Sequence, residues 1–143
     1  MARSSKQTDP ELESTCIPSL ADLREMTQVD FELDFFSRIL DRHPDYPEAL
    51  RCYASNLAAK KRYIESLEIE RRIIHLQPAD ALAHYNLACS YALLKKPDLA
   101  LTTLRQALEL GYRDFRYIQK DRDLDPIRKD PRFRKLMREF EKS

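Results

Sequence analysis

The feature that most constrains this chain is its self-similarity at a step of 34 residues. Pro44 recurs as Pro78, and the same step carries Tyr53 to Leu87, Ala54 to Ala88, Leu57 to Tyr91, Leu67 to Leu101 and Ile73 to Ala107, each pair keeping a small or an apolar character. A fixed period of this length marks a stack of similar units, each too small to bury its apolar face except against its neighbours. Within each unit, two helical patterns of about a dozen residues flank a polar break. The break is Lys60-Lys61-Arg62 in the first unit and Lys95-Lys96-Pro97-Asp98 in the second. Each unit is predicted to be a helix hairpin.

Composition narrows the alternatives. The chain has 143 residues, enough for one domain with a core, and holds 1 Gly against 8 Pro. Tight hairpins, strand bulges and phosphate-cradling loops rely on glycine for positive φ or close backbone approach. The glycine count therefore disfavours a β-sandwich, a dinucleotide fold or a P-loop. Charged residues make up 34%, hydrophobic residues 43% and the net charge is +1, the balance of a folded protein with a solvated surface and no global pull toward nucleic acid.

The second unit, ALAHYNLACSYALLKKPDLALTTLRQALELG, resembles the tetratricopeptide repeat family. His84, Leu87, Ala88 and Tyr91 match its first helix, and Ala100, Leu104 and Ala107 its second. In the first unit Leu50, Tyr53, Ala54 and Leu57 fit, while Ser66 and Glu70 stand where a small and a large apolar residue are usual, and Ile73 stands where Ala is usual. The resemblance implies an all-α fold: a right-handed superhelix of about three stacked hairpins plus a capping helix. Repeats would span 47–80 and 81–114, with a degenerate hairpin at 19–46, a terminal cap at 115–143 and a flexible arm at 1–18.

Local signals fit that division. Ser19 with Asp22, and Thr27 with Asp30, have the spacing of a helix start, in which a side-chain oxygen accepts from an orphan amide of the first turn. The second start leads into the apolar stripe Phe31, Phe35, Phe36, Ile39 and Leu40. At the other end Phe133, Leu136, Met137 and Phe140 fall on one face of a closing helix. Asp121, Asp123 and Asp125 alternate as in a calcium loop, but Pro126 occupies the place of the required Gly and Arg132 that of the bidentate Glu. Helix capping explains them better: Asp125-Pro126 and Asp130-Pro131 each pair an N-cap acceptor with Pro at the first helical position.

No catalytic constellation, cofactor motif or metal set is visible. His43, His75 and His84 have no ligand spacing, and Cys16, Cys52 and Cys89 are an odd number without a C-x-x-C pair. The N-terminal residues show no apolar signal run, and Asp9, Glu11 and Glu13 disfavour a transit peptide. With no apolar run of membrane-spanning length, the expected location is the cytoplasm, with no membrane or nucleic-acid partner. Residues 113–143 are mildly basic, read as a solvated helix face.

The resemblance implies a non-enzymatic protein-interaction module, an adaptor, co-chaperone or assembly factor, whose concave groove is lined by the first helix of each hairpin. The candidate lining is Arg51, Cys52, Ser55, Tyr85, Asn86, Cys89, Arg116 and Lys120, which mixes donors with an aromatic platform and suits a peptide. Arg51, Asn86, Arg116 and Lys120 further resemble the carboxylate clamp with which some family members hold an acidic C-terminal tail. Ser55 departs from that pattern, standing where the clamp has Asn. The other class of function left open is a self-associating module that oligomerises through its stack ends.

Overall fold

The computed structural model describes Leu20 and residues 27–142. The predicted arm at 1–18, the Ser19–Asp22 helix start and Cys16 lie outside the described residues, as does most of the first half of the 19–46 hairpin. Over 27–142 the order is α1 (Gln28–Arg42), α2 (Pro47–Ala59), α3 (Tyr63–Leu76), α4 (Ala81–Leu93), α5 (Pro97–Glu109), α6 (Phe115–Lys120), a 3-10 turn (Arg122–Leu124), α7 (Asp125–Arg128) and α8 (Pro131–Glu141). Among the described residues the protein is all helical, with no strand. No helix there is long and apolar enough to cross a membrane. Thr27 caps α1 as expected: its Oγ1 accepts from the Asp30 amide at 3.2 Å and donates to Asp30 Oδ2 at 2.8 Å.

The backbone repeats at the step the sequence does. Helices α2, α4 and α6 begin at Pro47, Ala81 and Phe115, and α3, α5 and α8 at Tyr63, Pro97 and Pro131, each 34 residues after the last. His43 and Gln77, which follow α1 and α3, have nearly equal dihedrals, φ −130° and ψ 74° against φ −134° and ψ 75°. Inside each hairpin the turn is a left-handed lysine, Lys61 at φ 61° and Lys95 at φ 58°. The amides of Lys61 and Arg62 donate to Ala58 O and Leu57 O at 2.9 Å, and those of Lys95 and Lys96 to Ala92 O and Tyr91 O at 3.0 and 2.9 Å. This two-bond arrangement satisfies the last carbonyls of a helix and turns the chain back on itself. Gly111, at φ 109°, closes α5 in the same way, with the Gly111 and Tyr112 amides on Leu108 O and Ala107 O.

Consecutive helices pack pairwise, α2 with α3 and α4 with α5, and the pairs meet along α3 and α4. Small residues mark the close approaches: Ala54, Ala88, Ala100 and Ala107 are buried, with Leu57, Leu104 and Leu108 filling the space beside them. Helix α4 buries residues all round, from Ala83 to Ala92, as a central helix must. The larger core joins α4 and α5 to Ile118, Leu124, Ile127, Phe133, Leu136 and Met137, so the closing helix packs inward. Phe140, half-buried, lies under the guanidinium groups of Arg105 and Arg113, 5.7 and 5.5 Å from its centroid. Several cations of the basic C-terminal segment are paired within the chain, Arg128 to Asp125 at 3.1 Å and Arg132 to Asp98 at 2.7 Å among them, and Glu139 of the same segment pairs with Arg105 at 2.9 Å.

The third unit departs from the other two. Its first-helix position is broken after Lys120, because Asp121 stands where the 34-residue step places Leu87. Its Oδ1 accepts from the Asp123 amide at 3.0 Å and so starts the 3-10 turn. Arg128 covers carbonyls at the break, donating to Ile118 O at 3.1 Å and Asp121 O at 2.5 Å, with its guanidinium 5.6 Å above the Phe133 ring. The expected N-cap at Asp125 is corrected. Asp125 is the first residue of α7, preceded by Leu124 as its cap, and its carboxylate pairs with Arg128 at 3.1 Å. Asp130 caps α8 as expected, accepting from the Arg132 amide at 2.9 Å.

Candidate functional site

Between α2, α4 and the broken first helix of the third unit lies a cavity of about 210 Å³. Helix α2 contributes Arg51, Ala54, Ser55 and Ala58; α4 contributes Ala83, Asn86, Cys89, Ser90 and Leu93; Tyr117 and Asp123 close it on the third side, and Glu70 and Ile73 of α3 form its floor. Of the eight residues expected to line a groove, Arg51, Ser55, Asn86 and Cys89 are brought together here. Cys52, Tyr85, Arg116 and Lys120 are not among the lining residues.

Each absence has a local cause. Cys52, Arg116 and Lys120 are exposed on other faces of their helices. Helix α6 has six residues before the chain turns at Asp121, so Tyr117 and Asp123 reach the cavity instead of Arg116 and Lys120. Tyr85 is 1% exposed and serves the core, not an open platform. Its ring stacks on Tyr112 at 4.3 Å, and its hydroxyl donates to Asp121 Oδ2 at 2.6 Å. Burial, the neighbouring Cys89 and the Asp121 carboxylate hold the Tyr85 phenol far above its ordinary range, so it is a fixed donor.

One of the expected groove cations, Arg51, is already engaged. Arg51 donates to Gln77 Oε1 and to the Asp80 carboxylate, bridging the start of α2 to the start of α4. Burial opposes ionisation of Asp80, and the bonds from Arg51 and the Ala83 amide overcome it, leaving the carboxyl below its usual range. Arg51 is thus a structural cation whose charge is already answered.

Two carboxylates that sequence reasoning did not place in the site belong to it. Glu70, in the second helix of the first unit, is 5% exposed, and its Oε2 has no hydrogen-bond partner. Its Oε1 lies 2.9 Å from Ser66 Oγ, which in turn lies 3.1 Å from Ala54 O. A serine hydroxyl carries one proton. If Ser66 donates to the Ala54 carbonyl, the proton between Ser66 and Glu70 comes from a protonated Glu70. Burial pushes the Glu70 carboxyl up to about 7; the Ser90 hydroxyl, close by but making no hydrogen bond to Oε2, and the Ser66 hydroxyl only partly offset this, and Asp123 adds to it. Asp123, exposed on its outer side, is itself raised, first by partial desolvation where it faces the cavity and then by Asp121 and Asp125.

Cys89 Sγ and carboxylate oxygens of Asp121 and Asp123 lie within 4.8 Å of one another, close enough to consider a cation. The existing bonds use much of that set. Asp121 Oδ2 accepts from Tyr85 and, at 3.7 Å, from the Cys89 thiol, while Oδ1 accepts from the Asp123 amide. Burial together with Asp121 and Asp123 holds the thiol protonated, well above its ordinary range. The three groups therefore fit a closed hydrogen-bond cluster that joins α4 to the break.

The signal for Glu70 and Asp121 was present in the repeat itself. At the 34-residue step Glu70 corresponds to Leu104 and Asp121 to Leu87, both buried leucines. An acidic residue in a buried apolar position is expensive unless it is hydrogen-bonded or paired, so each such misfit marks a place to look for polar partners.

No protein-family model matches the chain. Over 85 residues it is 35% identical to a chloroplastic protein of Arabidopsis thaliana, an alignment covering 57% of this chain and 25% of that protein. The chain spans about a quarter of the length of this relative.

Proposed function

We propose that this chain is a tetratricopeptide-like stack, a right-handed superhelix of hairpins, and that it works as a non-enzymatic interaction module that binds a segment of a partner protein along α2, α4 and the third-unit turn. The observation that carries this reading is the cavity: successive first helices, set 34 residues apart, present Arg51, Ser55, Asn86, Ser90 and Tyr117 to one open space, and the 3-10 turn after the third adds Asp123. Hydroxyls, an amide, a phenol and carboxylates spread along parallel elements suit the repeating polar groups of an extended peptide. The acidic-tail version of the reading loses support, since Arg51 is bound to Asp80 and the cavity walls hold Glu70 and Asp123.

Selection from a displayed library of random twelve-residue peptides tests the proposal. Enriched peptides should bind the chain and lose tenfold or more in affinity to Asn86→Arg, which fills the cavity from an exposed position. Enrichment indifferent to Asn86→Arg, or no enrichment, contradicts it.

One observation favours a second reading, self-association through the N-terminal end. Phe31 and Phe35 are 46% and 49% exposed and stack at 6.5 Å on the outer face of α1. Light scattering over a concentration series separates the two: a mass that rises with concentration and falls back in Phe35→Ser supports pairing through this face.

A further inference from the structure

The cavity has a charge mismatch within it. Glu70 reaches it from α3 with an oxygen that meets no donor, and Asp123 reaches it from the third unit. The cation among the lining residues, Arg51, is already bound to Asp80 and Gln77. A buried carboxyl oxygen without a donor costs stability that a well-packed apolar residue such as Leu104 would not. The space beside it, about 210 Å³, is large enough for several waters at about 30 Å³ each.

We propose that this cavity is a socket for a lysine ammonium group of the bound segment, held between the Glu70 and Asp123 carboxylates beside Asn86. The inference rests on the peptide-binding reading and names its ligand chemistry. An ammonium is compact and carries three donors, which Glu70 Oε2, Asp123 and the Asn86 side-chain carbonyl can accept. A guanidinium is the poorer fit, because its planar fork seeks two oxygens of one carboxylate and Glu70 offers one, Oε1 being engaged by Ser66. A divalent metal fits less well for a different reason: Asp121 already accepts three hydrogen bonds and Cys89 holds its proton. Arrival of the ammonium holds Glu70 in its ionised form, so any proton still on the carboxyl leaves for solvent as the cation enters. The other titratable groups facing the cavity are Arg51, Cys89 and Tyr117. Arg51 is neutralised by Asp80, and the Tyr117 phenol is raised, by Asp121 first and then by burial, so it stays neutral at pH 7.5.

The test uses n-butylammonium as the probe, a lysine head on its own stem, titrated into the full ¹⁵N-labelled chain at pH 7.5 and fixed ionic strength. Methylguanidinium, butyrate and zinc ion are titrated in parallel. Saturable shifts should appear at the amides of Glu70, Asn86 and Asp123 with butylammonium, and not with butyrate. Affinity should fall at least tenfold in Glu70→Gln, which keeps the shape of the neutral acid, and at least fivefold in Asp123→Asn. Should Glu70→Gln fail to fold, the exposed Asp123 carries the same comparison. Unchanged affinity in the variants, butyrate binding in its place, tighter methylguanidinium binding, or tighter zinc binding centred on Cys89 each overturns the socket. Library peptides that bind the groove with no preference for lysine overturn it too, and leave the interaction reading standing.

Discussion

The Tyr85 hydroxyl donates to Asp121 Oδ2 at 2.6 Å across 36 residues of chain, tying the centre of α4 to the point where the third unit breaks its first helix. Both groups are buried, and the carboxylate also receives the Cys89 thiol and the Asp123 amide. Tyr85→Phe keeps the ring stack on Tyr112 and removes only the donor. It should cost about 1–3 kcal/mol, the range for leaving a buried acceptor short of a partner, and lower the thermal midpoint by several degrees. An unchanged midpoint by circular dichroism would contradict the tie.

Glu70 makes stability depend on pH. Its carboxyl is raised from 4.5 to about 7 in the folded protein, so between those values the unfolded chain releases a proton that the folded chain keeps. Stability contributed by this group is therefore intact below pH 4.5 and lost as pH rises toward 7, after which the loss is constant. Glu70→Gln should be as stable as the parent near pH 4 and more stable at pH 8, by on the order of 3 kcal/mol. Denaturant titrations at the two pH values check it; a variant equally or less stable at pH 8 refutes the raised Glu70 carboxyl.

Arg128 closes the carbonyls at the break and lies over Phe133. Arg128→Met retains bulk and removes the donors. Amide exchange should speed up at least tenfold for Ile118 to Ile127 while the α2–α3 hairpin keeps its protection, since the loss is local to the third unit. Equal acceleration in both hairpins would mean that the break is held by the whole stack.

The two left-handed lysines mark a stability reserve. A side chain at positive φ is strained where glycine is not, and Lys61 and Lys95 occupy equivalent turns at φ 61° and 58°. Lys61→Gly and Lys95→Gly should each stabilise by roughly 0.5–1 kcal/mol after the entropy lost by glycine is counted. Being in separate turns, they should add. Denaturant midpoints of the single and double variants measure this.

The hairpins were legible in the sequence because their cause is local. Apolar spacing, Pro44 and Pro78, and the lysine breaks fix where helices start and turn, and the backbone repeats at the same 34-residue step. The site was half legible. Arg51 and Tyr85 are one step apart and so looked equivalent, yet α4 is covered by Tyr112 and the third unit while α2 is not, and the tyrosine became core. Glu70 and Asp123 meet through tertiary packing across 53 residues, which periodicity does not encode. The trace of Glu70 was its own misfit in a leucine position, and that of Asp123 was indirect, the misfit of Asp121 that marks the break beside it.

The central claim is that a partner segment lies along α2, α4 and the third-unit turn. Amide hydrogen exchange of the chain, with and without a saturating library-selected peptide, tests it most directly. Protection should rise within 51–58, 83–93 and 117–123 and stay unchanged on the outer faces of α5 and α8. Protection confined to α1 around Phe31 and Phe35, or to α8, would contradict the account and place the interface at an end of the stack.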